Sequence, residues 1–315
     1  MQKRIVAVLA VLMCAASLVL LGCGGQGEQA PQDAKPKVEP KTLEKKALDD
    51  YTWEELTRIS KEIAKADGED AAREVAKKYG IVEEDGSLTT QTKQIVLNDT
   101  RALDVRVAGV LQDERADGKG KAGLTFMTVG AWDVRPMNDE ATVEGGWEQS
   151  SLRAWLANDA KAMLDKDLAK ALRSVNKYTN NAGPTDEFGS ATPTADELWL
   201  FSAHEVCGDV QWDSEEFKQK RGYQDIDGLI NSEGSQYEAF RQAEVTSQGD
   251  PQGYLSLEDS TGAMPWWYRT VYPFDWTQYG DTGTNGYFYQ VNAAGFPESL
   301  GSPEVPAGVV VGFCV

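Results

Sequence analysis

Histidine is almost absent from this 315-residue chain, which carries one, His204. A zinc-protease helix needs two imidazoles a turn apart, so His204-Glu205-Val206-Cys207 is not one. Any Ser-His-Asp or Cys-His triad would have to run through the same ring, which sits one step past an apolar strand segment, and a structural or surface role suits it better. Basic residues are scarce beside acidic ones, 31 against 50, for a net charge of −19. That excess serves solubility, repels phosphate polymers and anionic head groups, and excludes nucleic-acid binding. Acidic residues abound, yet nothing selects a glycosidase pair among them. With Asp225, Asp227 and Gly228 at positions 3, 5 and 6 of a calcium loop, Tyr223 would stand first and Gly234 twelfth, where acidic ligands belong, so the EF-hand reading fails. Asp117-Gly118-Lys119-Gly120-Lys121 lacks the strand, helix and trailing Lys-Ser/Thr of a phosphate loop. No metal and no cofactor is expected.

Long apolar runs are also missing, except at residues 5–21, which follow Lys3 and Arg4 and end at Leu20-Leu21-Gly22-Cys23. That ending resembles the lipobox of bacterial lipoproteins, in which a small residue lets the peptidase close on the backbone and the thiol takes a diacylglyceryl thioether. Leu21 departs from the small residue usual at its place. A run of 17 residues is short for spanning a bilayer about 30 Å thick, and a basic start with a small-residue cleavage point reads as a processed signal. Residues 1–22 are therefore expected to be a signal peptide. Cys23 is expected to carry a lipid that holds the protein at the bacterial cell membrane, on its extracytoplasmic side. Loss of Lys3 and Arg4 takes the charge from −19 to −21, so attachment rests on the lipid alone. Residues 23–50 hold Gly, Gln, Pro, Lys and Glu with almost no large apolar residue and read as a disordered tether. Of the four cysteines, Cys14 leaves with the signal and Cys23 is acylated. Cys207 and Cys314 remain, an even pair in an exported domain, to be bridged or, alternatively, buried as free thiols.

Residues 51–86 read as a helical hairpin. Thr52 and Glu55 form a capping box, Trp53, Leu56, Ile59 and Ile63 recur at helical spacing, and Gly80 stands where a helix ends. Such a hairpin is too small to fold alone. Residues 87–315 form one domain. Leu103 to Leu111 alternates as a strand, residues 149–156 and 159–173 are helical, and Trp266-Trp267-Tyr268-Arg269 reads as a buried strand. The class is α+β with long loops.

Four segments resemble the DUF6273 family of uncharacterised bacterial surface domains, in order across residues 94–315. They are Trp147-Glu148-Gln149-Ser150-Ser151-Leu152-Arg153-Ala154-Trp155-Leu156, Asp196 through Val206, Trp266-Trp267-Tyr268-Arg269-Thr270, and Gly308 through Phe313. Tyr268 stands where that family has leucine, and Val310-Val311 where it has Arg-Pro, so any role of that arginine is absent. The resemblance implies a C-type-lectin-like or sulfatase-modifying-factor-like fold, with a small twisted, mostly antiparallel sheet, two flanking helices and long loops, here preceded by the hairpin. The lectin calcium tripeptides Glu-Pro-Asn and Trp-Asn-Asp are missing. Cysteine–copper chemistry would need Cys207 and Cys314 as a reactive pair, and a structural bridge is simpler.

The aromatic loop at residues 272–287 is the best candidate surface. Trp276, Tyr279 and Tyr287 alternate there with Asp, Thr, Gln and Asn, the pairing that stacks and hydrogen-bonds a ligand. The expected function is a non-catalytic surface module that binds a glycan or a protein. The alternative is an envelope enzyme whose site is not recognisable. Carboxylates converging in a polar cleft would favour the enzyme, and a shallow aromatic surface the binding module.

Overall fold

Thr52 opens the first helix as the capping box requires. Its hydroxyl accepts from the Glu55 amide while the Glu55 carboxylate accepts from the Thr52 amide, ahead of α1 (Trp53–Ala64). Trp53, Leu56, Ile59 and Ile63 fall on one buried face. A second helix, α2 (Glu69–Lys78), completes the hairpin, and Gly80 follows it at φ +70. The computed structural model describes residues 43–181, 191–212, 214–220, 225–272 and 286–315, all within the unit Leu43–Val315. Packing begins before the hairpin: Leu48 and Tyr51 are buried and a 3-10 turn covers Leu48–Asp50. The end of the expected tether is thus part of the fold, because Leu43 and Leu48 supply the aliphatic anchors that its earlier stretch lacks.

The class is α+β, with mostly antiparallel strands distributed over two five-stranded sheets. The first runs β1 (Lys93–Val96), β2 (Ala102–Val110), β3 (Leu124–Thr128), β14 (Val311–Cys314), β7 (Trp199–Leu200), every neighbouring pair antiparallel. The second runs β12 (Ser299–Gly301), β11 (Tyr287–Val291), β10 (Trp266–Tyr272), β13 (Ala307–Gly308), β4 (Val134–Arg135), with only β10 and β13 parallel. β5 (Val175–Thr179) pairs with β6 (Thr192–Asp196), and β8 (Glu258–Asp259) with β9 (Gly262–Ala263).

Helices fill the middle of the chain. α3 (Ser151–Trp155), capped by Ser150, continues through a π turn at Leu156–Ala160 into α4 (Lys161–Met163), and α5 (Lys166–Ala171) follows behind an Asp165 cap. After β7 come α6 (Ala203–Cys207), α7 (Glu215–Lys220), α8 (Ile226–Asn231) and α9 (Glu238–Gln242). No helix among the described residues is long and apolar enough to cross a membrane.

The hairpin is a layer of the domain rather than an appendage. Trp53 meets Phe126 and Phe313 edge-on, with ring centroids 5.5 and 5.9 Å away, and those two rings stack on each other. The Ser60 hydroxyl accepts from the Gly123 amide and donates to the Val315 carbonyl. Gly123 permits this approach: a Cβ there would lie 2.0 Å from the Ser60 carbonyl oxygen. A second apolar cluster gathers α6, α8 and α9 against β10 and β11.

Candidate functional site

Strand alternation brings a lysine into the interior. Val175, Lys177 and Thr179 of β5 face inward, and the Lys177 side chain is 3% exposed. An ammonium cannot be left bare at that depth, and three partners surround it. Its Nζ donates to Asp113 Oδ1 at 2.7 Å and the Tyr237 hydroxyl at 2.8 Å, and is ion-paired with Glu205 Oε1 2.5 Å away. The Tyr237 hydroxyl in turn donates a hydrogen bond to Asp113 Oδ1 at 2.5 Å. Asp113 Oδ2 accepts from Thr125 Oγ1 at 2.5 Å and lies 3.4 Å from the Cys314 thiol.

The circuit continues through Glu205. This residue closes the capping box of α6, where its Oε2 accepts from the Ser202 amide, and also accepts from Arg269 Nη1 at 2.5 Å. Arg269 sits mid-strand in β10 with no solvent exposure. Its remaining donors reach Thr179 Oγ1 and the carbonyls of Leu200, Tyr178 and Glu233. The Glu233 carboxylate accepts from the Asn180 amide and the Thr270 hydroxyl.

Burial acts on each of these groups, and their partners decide the outcome. For Asp113, burial favours the protonated form, but the Lys177 charge and the hydrogen bonds from Lys177, Thr125 and Tyr237 outweigh it and hold the carboxyl below its ordinary value. For Glu233, burial wins over the Arg269 charge and the Thr270 hydrogen bond, and the carboxyl is pushed up to about 7. Burial would also discharge Arg269, but the charge of Glu205 and its hydrogen bond more than compensate, leaving the guanidinium firmly protonated. Burial and the neighbouring Asp113 keep the Tyr237 phenol protonated.

A cleft of about 210 Å³ opens above Asp113, Lys177, Glu205 and Tyr237. Its rim holds Gln112, Glu114, Lys121, Asn176 and Ser235. Gln112 is tied to the Ser235 carbonyl, whereas the side chains of Glu114, Lys121, Asn176 and Ser235 make no polar contact among the described residues. Carboxylates do converge in a polar cleft, but they are spent. Three of the four oxygens of Asp113 and Glu205 accept hydrogen bonds from protein groups, and the fourth, Glu205 Oε1, is ion-paired with Lys177. The arrangement can hold β3, β5, β10, α6 and α9 in one geometry. Asp113 Oδ1 and Glu205 Oε2 each accept two hydrogen bonds, which weakens both as general bases.

The expected disulfide is absent: Cys207 and Cys314 are free and buried. They belong to different apolar clusters, Cys207 within 3.6 Å of the Tyr268 hydroxyl and Cys314 within 3.3 Å of Thr125 Oγ1. Burial pushes the Cys207 thiol up to about 12, and burial with the nearby Asp113 carboxylate raises Cys314 well above its usual value, so neither is a ready thiolate. His204 packs in α6 with Nδ1 3.0 Å from the Gly208 carbonyl oxygen. Asp225 caps α8 and Asp227 accepts from the Trp212 amide, which gives both carboxylates a structural task. Among the described residues no group of His, Cys, Asp and Glu is arranged to hold a metal.

Tyr287 opens β11 opposite Tyr272, half-buried against the second apolar cluster. Trp276, Tyr279 and Cys23 lie outside the described residues. Sequence reasoning passed over Asp113, Lys177, Glu233 and Arg269. A signal was present for one of them: Arg269 interrupts Trp266-Trp267-Tyr268-Arg269-Thr270-Val271-Tyr272, and a guanidinium in an aromatic strand needs a buried acid.

The family model described as Domain of unknown function (DUF6273) matches residues 109–308, a span that contains Asp113 through Arg269 and excludes the hairpin. No curated protein and no solved structure matches the chain.

Proposed function

The chain belongs to the DUF6273 family, and we propose that it is a lipid-anchored extracytoplasmic surface protein whose domain binds a glycan or protein ligand without catalysis. The single observation that carries this reading is the closed charge circuit beneath an open polar rim. The groups with catalytic character are paired to one another, while Glu114, Lys121, Asn176 and Ser235 point free donors and acceptors outward from a rigid floor. A preorganised dish of this kind suits hydroxyl-rich ligands. The C-type-lectin-like resemblance belongs to the same reading, with Trp276, Tyr279 and Tyr287 as further proposed contacts.

The test is retention of the full chain on a glycan array and on whole cells, with Asn176→Ala and Lys121→Ala beside it. Unchanged melting with lost retention in the variants supports the rim. A wild-type chain retained by nothing would sink the proposal. The anchor is tested with labelled palmitate and Cys23→Ser, and equal label in both would remove it.

The enzyme alternative draws on Asp113, Lys177, Tyr237 and Glu205 meeting at the base of a cleft. It requires one of them to be released from the circuit when substrate enters.

A further inference from the structure

A second cleft, of about 370 Å³, lies between α1 and α5, with Trp53 on its wall. We propose that it binds the phosphate or carboxylate group of an acidic ligand, held by Lys61, Lys170, Arg173 and the Thr57 hydroxyl.

The charge pattern is the first ground. In a chain with 50 acidic and 31 basic residues, a lysine or arginine finds an acid easily. Several do: Lys46 pairs with Glu55, Lys78 with Glu62, Arg153 with Asp196 and Lys161 with Glu197. Among the described residues Lys61, Lys170 and Arg173 form no ion pair, yet all three line this one cleft. Two acids also line it, Glu54 and Asp167. They occupy the first turns of α1 and α5, where a carboxylate complements the helix N-terminus, and they do not reach the three cations. Bases outnumber acids there, against the balance of the whole chain.

The second ground is an unmet hydrogen bond. Thr57 Oγ1 is buried at this cleft and has no hydrogen-bond partner among the described residues. A buried hydroxyl without an acceptor is unfavourable, and a turn of the Thr57 side chain about χ1 would offer it to an anion's oxygen. Arg173 is already positioned: its Nη1 donates to the Leu172 and Lys170 carbonyls, which leaves Nε and Nη2 for two oxygens of an oxyanion.

The site also gives the hairpin a task. Thr57 and Lys61 lie on α1, one turn apart and outside the family match, whereas Lys170 and Arg173 lie within it. The cleft therefore exists only with the hairpin docked on the domain.

The experiment titrates the full chain with inorganic phosphate and with citrate, at fixed ionic strength, against chloride and an uncharged sugar. Melting temperature and amide chemical shifts are read together. Expected are a saturable rise in melting temperature with shifts centred on Thr57 and Arg173. Lys61→Gln with Lys170→Gln should weaken binding about tenfold or more, the scale of one lost hydrogen bond to a charged group. Both lysines are exposed, so the double variant folds. Thr57→Val should weaken binding less and leave the unliganded melting temperature the same or higher. Binding of phosphate but not citrate assigns a phosphate, and the reverse a carboxylate. Binding of neither, or equal binding by the double variant, overturns the proposal.

Discussion

Two seams of this molecule are equally dry and are held by opposite means. Under α1, Trp53 meets Phe126 and Phe313 in a cluster that also buries Leu56 and Ile59, an apolar contact whose energy is spread over many weak pairs. Around Arg269, four further buried ionisable groups, Asp113, Lys177, Glu205 and Glu233, are linked by directed bonds to each other or to backbone. An apolar seam loses stability in proportion to what is removed. A charged seam loses it all at once, because each deletion strands a partner. The first seam attaches a layer. The second fixes the geometry beneath the cleft.

Arg269→Met should sharpen this contrast most. It leaves Glu205 buried without its guanidinium and should cost about 3–5 kcal/mol in urea unfolding. A loss under about 1 kcal/mol would place the network on the same footing as ordinary packing.

Protonation separates the seams next. With Glu233 neutral, the cluster holds two acids and two bases. Its folded pKa of about 7 lies above the ordinary 4.5, so the folded state binds this proton more tightly. Stability from it is fully present below about pH 4.5 and lost as pH rises through 7, a fall of up to about 3 kcal/mol. Asp113, held low, works oppositely and loses its contribution as pH falls. Glu233→Gln mimics the neutral acid and can keep both hydrogen bonds, so its stability measured from pH 5 to 7 should be flatter than wild type. Parallel curves would refute the assignment.

In the apolar seam, Ile59→Val should cost about 0.5–1.5 kcal/mol at every pH, a graded loss without a titration. Smallest of all is the effect of reductant. With Cys207 and Cys314 free, dithiothreitol should leave the melting temperature of the domain unchanged, and a drop of several degrees would restore the bridge.

The apolar seam was legible in the sequence and the charged one was not, for a physical reason. Helical spacing of Trp53, Leu56, Ile59 and Ile63 is a local pattern, and so is the Thr52–Glu55 capping box. Strand β10 announced itself by its aromatic run. The circuit of Asp113, Lys177, Glu205 and Arg269 joins residues as far as 156 positions apart, and each alone reads as a solvated charge. Cysteine pairing misled because parity and compartment say nothing about distance: α6 and β14 place the two thiols in separate clusters. The candidate ligand loop at Trp276 and Tyr279 rests on sequence alone, whereas both clefts came from side chains brought together by the fold.

Lys177→Met tests the scaffold reading most directly, because Lys177 joins both carboxylates and stands at the floor of the cleft. A lysine that exists to hold the fold should take several kcal/mol with it when replaced, since Asp113 and Glu205 lose their shared counter-charge at full burial. The melt is therefore expected to fall by many degrees, or the chain to fail to fold. A Lys177→Met protein that melts at or above the wild-type temperature would contradict this. Unchanged or raised stability is the signature of a charge retained for chemistry rather than structure, and it would hand the cleft to the enzyme reading.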